Sequence, residues 1–372
     1  MASSRRFLSV LSLVVAFLLT VPTQSRATEA RTAESAFGTE LAQSARTAES
    51  EESPTAQDTS DVERLVRRAL DRLFGEQIEL GALVQTVGQV TFDPPSSGSG
   101  TNQFNVATTR LKLSGGGSSG FRYMAQTDFT RSLVLLDARI GYRFAPSATL
   151  RAGLFKAPFS GEFLTSSANI DFVNRSRVVS SYIPNRQVGA SLYGETGGLV
   201  GYEIGVFNGN GRTLSGNDNN RFMYTGRLTF SPELQTGSLE IGTNVAFSED
   251  AYAGFRGSRT LVGVDARFER GPLLVSGELI RAELDPTGVS EREPLGYHLT
   301  AGYAPVPGRH QLLVRLDQID HDTLTDTPTQ LVFGYNLFAT EAYGLQLNYV
   351  LPFGDGADTG DHRILANFQV AL

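Results

Sequence analysis

Positively charged side chains at alternate positions of successive segments carry the most suggestive chemistry in this chain. Arg110 and Lys112, Arg122, Arg139 and Arg143, and Arg151 share one parity within four consecutive runs, and Arg175, Arg177 and Arg186 follow in a long connection. A guanidinium stays charged and presents a planar fork that fits phosphate or carboxylate. One such charge ~6 Å from an anion in a water-like medium contributes only about 0.7 kcal/mol, so selectivity needs several acting together. The mechanical reading is that arginines on a sheet face brace neighbouring strands through carboxylates. Asp128, Asp137, Glu162 and Asp171 stand in the same stretch for that purpose. Both readings stay open at this level.

Other chemistries find less support. The chain has no cysteine, which removes disulfides, thiolate metal sites and thiol nucleophiles. Its four histidines, His298, His310, His321 and His362, form no Ser/His spacing suited to a hydrolase. Gly209-Asn210-Gly211 reads as a turn and not as a phosphate loop, because no helix pattern follows. No catalytic site, metal site or cofactor is expected. The formal charge of −7 argues against nucleic acid as a partner.

The elements that must hold these cations are strands. With 39 Gly, 23 Phe and 12 Tyr and only 19% charged residues, the composition is strand-rich with many turns. From Ile78 to Leu372 the apolar period is 2, and sixteen runs can be counted, each of a length suited to a tilted membrane-crossing strand. In the last run Ile364, Ala366, Phe368, Val370 and Leu372 oppose Arg363, Asn367 and Gln369; earlier, Val262, Val264, Ala266 and Phe268 oppose Asp265 and Arg267. One apolar and one polar face throughout, over an even number of strands, predicts an all-β antiparallel barrel whose closure pairs every backbone group in lipid. Tyr142, Phe144, Phe230, Tyr303, Phe338 and Tyr349 near segment ends suit interfacial girdles.

The connection from Phe159 to Arg186 is the longest, at twenty-eight residues. It carries Phe163, Ile170, Phe172, Val178, Val179 and Ile183, which a solvated loop would not need. It is therefore expected to pack on the inner wall. There it would narrow the pore and bring Arg175, Arg177 and Arg186 toward passing solutes. Against the cations, Glu203, Glu240, Asp265, Glu278 and Asp317 on later runs give the lumen an acidic contribution.

Ahead of the barrel, Arg5 and Arg6, the apolar run Phe7–Leu19 and Ser25-Arg26-Ala27 read as a secretory signal peptide over 1–27. Its loss removes three arginines and takes the formal charge from −7 to −10. Residues 28–59, in which ARTAES occurs twice, read as a disordered periplasmic leader. Residues 60–75, with Val62, Leu65, Val66, Ala69, Leu70 and Leu73 at helical spacing, predict a short amphipathic helix that docks on the barrel, frays or self-associates.

The block Leu154-Phe155-Lys156-Ala157-Pro158-Phe159-Ser160-Gly161-Glu162, with Leu164-Thr165-Ser166-Ser167, Asn174-Arg175-Ser176 and Pro184-Asn185-Arg186-Gln187-Val188-Gly189, resembles the phosphate-selective porins O and P. The resemblance extends over about residues 78–372. It implies a sixteen-stranded outer-membrane homotrimer in which a strand ending in Lys-x-Pro-Phe runs into a loop folded back into the pore. Lys156 joins the anion path through this resemblance alone, since its parity matches lipid-facing Leu154. The expected function is passive diffusion of small solutes, with anions such as phosphate favoured. A non-selective porin and a barrel that tethers the envelope remain the alternatives.

Overall fold

The computed structural model describes residues 77–92, 102–117, 120–252, 255–322, 329–353 and 362–372. The expected signal peptide, leader and short helix lie outside them. Sixteen strands follow in order: β1 (Gln77–Phe92), β2 (Asn102–Gly116), β3 (Phe121–Asp128), β4 (Val134–Ala145), β5 (Ala148–Lys156), β6 (Arg186–Thr196), β7 (Val200–Phe207) and β8 (Met223–Phe230). The second half comprises β9 (Ser238–Tyr252), β10 (Phe255–Arg270), β11 (Leu273–Pro286), β12 (Leu295–Val306), β13 (His310–Asp320), β14 (Thr329–Phe338), β15 (Tyr343–Phe353) and β16 (His362–Ala371). Each pairs antiparallel with its sequence neighbours. The circle closes where β1 meets β16, from Leu83↔Ala371 to Phe92↔His362.

Closure follows from the alternation of side chains. On β10, Val262 and Val264 point outward and are half exposed, while Leu261 and Gly263, which alternate with them, are buried. On β13, Leu312 is exposed outward, whereas Leu313, Arg315, Asp317 and Ile319 are buried inward. The outer face thus offers side chains to lipid, and the ladder leaves no strand edge in it. Among the described residues no helix is long and apolar enough to cross a membrane; the strands do the crossing.

The two rims differ. Residues 146–147, 197–199, 271–272 and 307–309 make tight turns at one rim, while 157–185, 208–222 and 287–294 make long connections at the other. The connection 157–185 contains two short helices, α1 (Gly161–Leu164) and α2 (Arg177–Ser181).

The inner wall breaks its polar pattern where this connection meets it. Phe159, Phe163, Val178, Val179 and Ile183 cluster with Ala246, Leu261, Ile280, Ala282 and Leu284 of β9 to β11. Farther round, Phe172 packs with Leu274, Leu313, Val332, Val350 and Leu365. Burying a large apolar side chain contributes roughly 1.5–3 kcal/mol, so the two clusters hold the connection firmly. Two wall glycines permit the approach. A Cβ on Gly296 would stand 2.6 Å from Val178 Cγ2, and one on Gly334 would stand 2.9 Å from the Phe172 ring.

Candidate channel site

The connection 157–185 leaves the wall at a neck closed by Ala157 N–H donating to Asn185 O at 3.1 Å. Ser160 then caps α1: its Oγ accepts from Phe163 N at 3.0 Å and donates to Glu278 Oε2 of β11 at 2.9 Å. Its φ of 70° places it in the left-handed region, and Asn244 of β9 fixes it there by accepting from Ser160 N at 3.2 Å. Because α1 is one turn long, its last carbonyls lack helical partners and take side-chain donors instead. Lys156 Nζ donates to Phe163 O, to Leu164 O at 3.3 Å and to Thr165 O at 3.0 Å; Arg175 donates to Glu162 O at 3.1 Å and Thr165 O at 2.7 Å.

A second anchor joins both helices to β13. Glu162 accepts from Ser176 Oγ at 2.6 Å and lies 3.4 Å from Arg315 Nη1, and Asp317 accepts from Arg177 N at 2.9 Å. Between the helices the backbone meets wall amides. Gln369 donates to Ala168 O at 2.8 Å, Gln346 to Ile170 O at 2.9 Å, Asn336 to Asp171 O at 2.8 Å and Gln85 to Ser167 O at 3.2 Å. Asp171 also holds Arg267 of β10 at 2.7 Å. The segment therefore touches β1, β2 and β16 at Ser167–Ala168 and β9 to β11 near Ser160. It runs across the interior as a chord, inside the wall.

The ten cations singled out in the sequence divide by what they meet. Arg110 pairs with Asp128 at 2.9 Å and donates to Ser167 Oγ at 2.9 Å. Arg186 pairs with Asp137 at 3.0 Å. Arg151 pairs with Glu203, donates to Ser191 and lies over the rings of Phe155 and Tyr193. Lys156 turns inward at the end of its strand although its parity matches Leu154, and with Arg175 it holds the α1 carbonyls. Arg177 lines a recess facing β13 to β16.

Lys112, Arg122, Arg139 and Arg143 make up the remainder. No ion pair joins them to a carboxylate among the described residues. They stand inward on β2, β3 and β4. Register places Arg122 beside Gly116 on one side and Gly141 on the other, and Gly141 in turn faces Arg151. Lys112, Arg122, Arg139 and Arg151 share a recess of about 370 Å³ in which Glu79 is the one carboxylate. Arg122 and Arg143 line another, of about 380 Å³, with Tyr193 and Glu195.

Sequence reasoning missed the residues that hold the connection, above all Ser160, Arg315, Asn336, Gln346 and Gln369. The available signal was apolar and amide residues at inward parity on β11 to β16, where a water-filled wall would carry neither apolar run.

Residues 88–263 match the family model described as phosphate-selective porin O and P. A search of curated proteins finds no match. Among solved structures, the trimer form of OmpT from Vibrio cholerae is 9% identical, with a TM-score of 0.60 over 80% of this chain and 99% of that one. OmpF of Salmonella typhi is 10% identical, at 0.60 over 80% and 98%, and the outer membrane channel DcaP of Acinetobacter baumannii is 14% identical, at 0.56 over 80% and 97%. At such identities these likenesses speak for the fold. Together with the family match over residues 88–263, the closed sixteen-stranded wall and its lipid-facing exterior support an outer-membrane channel for small solutes.

Proposed function

We propose that the channel passes small solutes by passive diffusion and favours anions, phosphate among them, along the wall formed by β2 to β5. The observation that carries this reading is the group of inward cations that no ion pair joins to a carboxylate among the described residues: Lys112, Arg122, Arg139 and Arg143. Each contributes about 0.7 kcal/mol at ~6 Å, so together they bias permeation without a well deep enough to stop it. The family match to phosphate-selective porins supports the same direction. In this reading the connection 157–185 is the constriction, and three copies assemble, as the trimer form of the Vibrio cholerae relative does.

The test is the reversal potential of the purified protein in a planar bilayer under a KCl gradient, with and without phosphate. Wild type is expected to reverse toward chloride, and changing Lys112, Arg122, Arg139 and Arg143 together to Gln is expected to reduce anion preference severalfold. A preference that survives the fourfold change would sink the assignment to this wall.

A second reading has its own support. On the opposite side of the connection a recess of about 410 Å³ is lined by Glu162, Asp171, Glu240, Asp265, Glu269 and Glu278, with Arg267 paired to two of them. A pore with one cationic and one acidic flank would pass neutral and dipolar nutrients with weak ion preference, and a reversal potential near zero in wild type is its signature.

A further inference from the structure

We propose that the acidic recess between the connection 157–185 and strands β10 to β12 holds the ammonium group of a small primary amine, with Glu278 and His298 as its acceptors. The proposal deepens the reading of that recess as an acidic flank. It can fail separately, because permeation is read as a potential and this site as equilibrium binding.

Register brings the acceptors together. Asp265 of β10 faces Glu278 of β11, and Glu278 faces His298 of β12, so three ionisable side chains stand side by side at one level. Directly opposed residues of antiparallel strands lie about 5 Å apart at Cα. All three line the recess of about 410 Å³, with Thr300 of β12 and Glu162 of the connection. Helix α1 packs over the row: a Cβ on Gly161 would stand 2.6 Å from Asp265 Oδ1.

Charge along this surface is unevenly compensated. Asp265 accepts from both terminal nitrogens of Arg227, at 2.6 and 2.8 Å, and from Asn244 at 2.7 Å. Arg227 also stands 3.4 Å from Glu240, Arg267 pairs with Asp171 and Glu269, and Arg315 stands 3.4 Å from Glu162. No ion pair among the described residues includes Glu278. Its side chain is buried, at 4% exposure; Oε2 accepts from Ser160 Oγ at 2.9 Å and Glu162 N at 3.4 Å, while Oε1 accepts from no described residue.

His298 is an independent sign. It is 7% exposed and lines the same recess, yet neither ring nitrogen has a hydrogen-bond partner among the described residues. Its Nε2 lies 3.6 Å from Glu162 Oε2, beyond hydrogen-bond reach. Burying a carboxylate oxygen and an imidazole without partners is costly, so a ligand that donates to both is favoured. An ammonium group does so with three donors on a compact charge, whereas a guanidinium is held to a planar fork. Among the described residues no three such side chains are placed to hold a metal ion, which turns the site from bare divalent cations to a hydrogen-bond donor. Ile170 and Phe172 offer apolar surface to the carbon skeleton that carries the amine.

The test titrates butylammonium chloride calorimetrically at pH 8 into the detergent-solubilised full chain, with tetramethylammonium chloride as a probe of equal charge that lacks N–H donors. At that pH an alkylammonium keeps its proton and an ordinary imidazole is neutral. Saturable butylammonium binding is expected, with tetramethylammonium at least tenfold weaker. Glu278→Gln, which keeps an oxygen for Ser160, is expected to weaken binding at least tenfold, and His298→Leu at least threefold. Glu341→Gln, in the turn between β14 and β15, removes the same charge away from the recess and should stay within twofold of wild type. Absence of saturable binding, equal affinity for tetramethylammonium, an unaffected Glu278→Gln or His298→Leu, or weakening by Glu341→Gln would each overturn the site. Heat-modifiable gel migration verifies that every variant is a folded barrel.

Discussion

On β2 to β4, Lys112, Arg122, Arg139 and Arg143 point inward and meet no carboxylate among the described residues, whereas on β8 to β13 Arg227, Arg259, Arg267 and Arg315 each meet one. Arg227 holds Asp265 at 2.6 Å, Arg259 holds Asp250 at 2.8 Å, Arg267 holds Asp171 at 2.7 Å and Arg315 holds Glu162 at 3.4 Å. The second group lies where the connection docks, and the first on β2 to β4, where Arg110 of β2 donates to Ser167 of the connection. Charge that supports packing is compensated because an unpaired buried charge is expensive. Charge that faces water can stand alone, and in the proposed reading it is this charge that a passing ion meets.

The contrast can be broken most forcefully on its compensated side. Arg227→Met leaves Asp265 and Glu240 without their cation, and breaking a buried pair of this kind costs about 3–5 kcal/mol. Thermal unfolding followed by circular dichroism should shift accordingly, and adding Asp265→Leu should recover much of the loss. A smaller effect is expected from Lys156→Met, which takes the ammonium from the α1 carbonyls. Hydrogen bonds to a charged group contribute about 1.5–3 kcal/mol, so the connection loosens and single-channel recordings gain open-state noise while the barrel stays folded. If the recordings remain quiet, Lys156 faces solutes and does not position the connection.

The open side is sharpened by the mildest change. Arg122→Gln should alter stability by less than about 0.5 kcal/mol, as a wall residue outside the described ion pairs does. Anion permeability should fall by at most about threefold, the equivalent of 0.7 kcal/mol. A large stability loss would show that Arg122 braces the wall after all.

Much of the barrel was legible because alternation is local. Ile364, Ala366 and Phe368 declare their face within five residues, and the same rule gives sixteen strands and the inward cations. Partners are another matter. Parity says that Arg110 and Arg122 share a face but not that Asp128 is opposite the first, a fact of register. Arg175 and Lys156 illustrate the harder case: their acceptors are backbone carbonyls of a one-turn helix, which no residue type announces. The anchor between Glu162 and Arg315 joins positions 153 residues apart, beyond the reach of any periodicity.

The bonds at Ser167 and Ala168 have a consequence for assembly. Gln85 of the first strand and Gln369 of the last donate to these adjacent carbonyls and also meet each other, Gln85 Nε2 to Gln369 Oε1, at 2.7 Å. The seam where the chain's two ends join is where a barrel would unzip, and here the tip of an internal segment staples it from within. That staple can form only after the first and last strands have met. Its formation therefore marks the completion of the cylinder, and its removal would lower the resistance of this one junction to opening before any other pair of strands is affected.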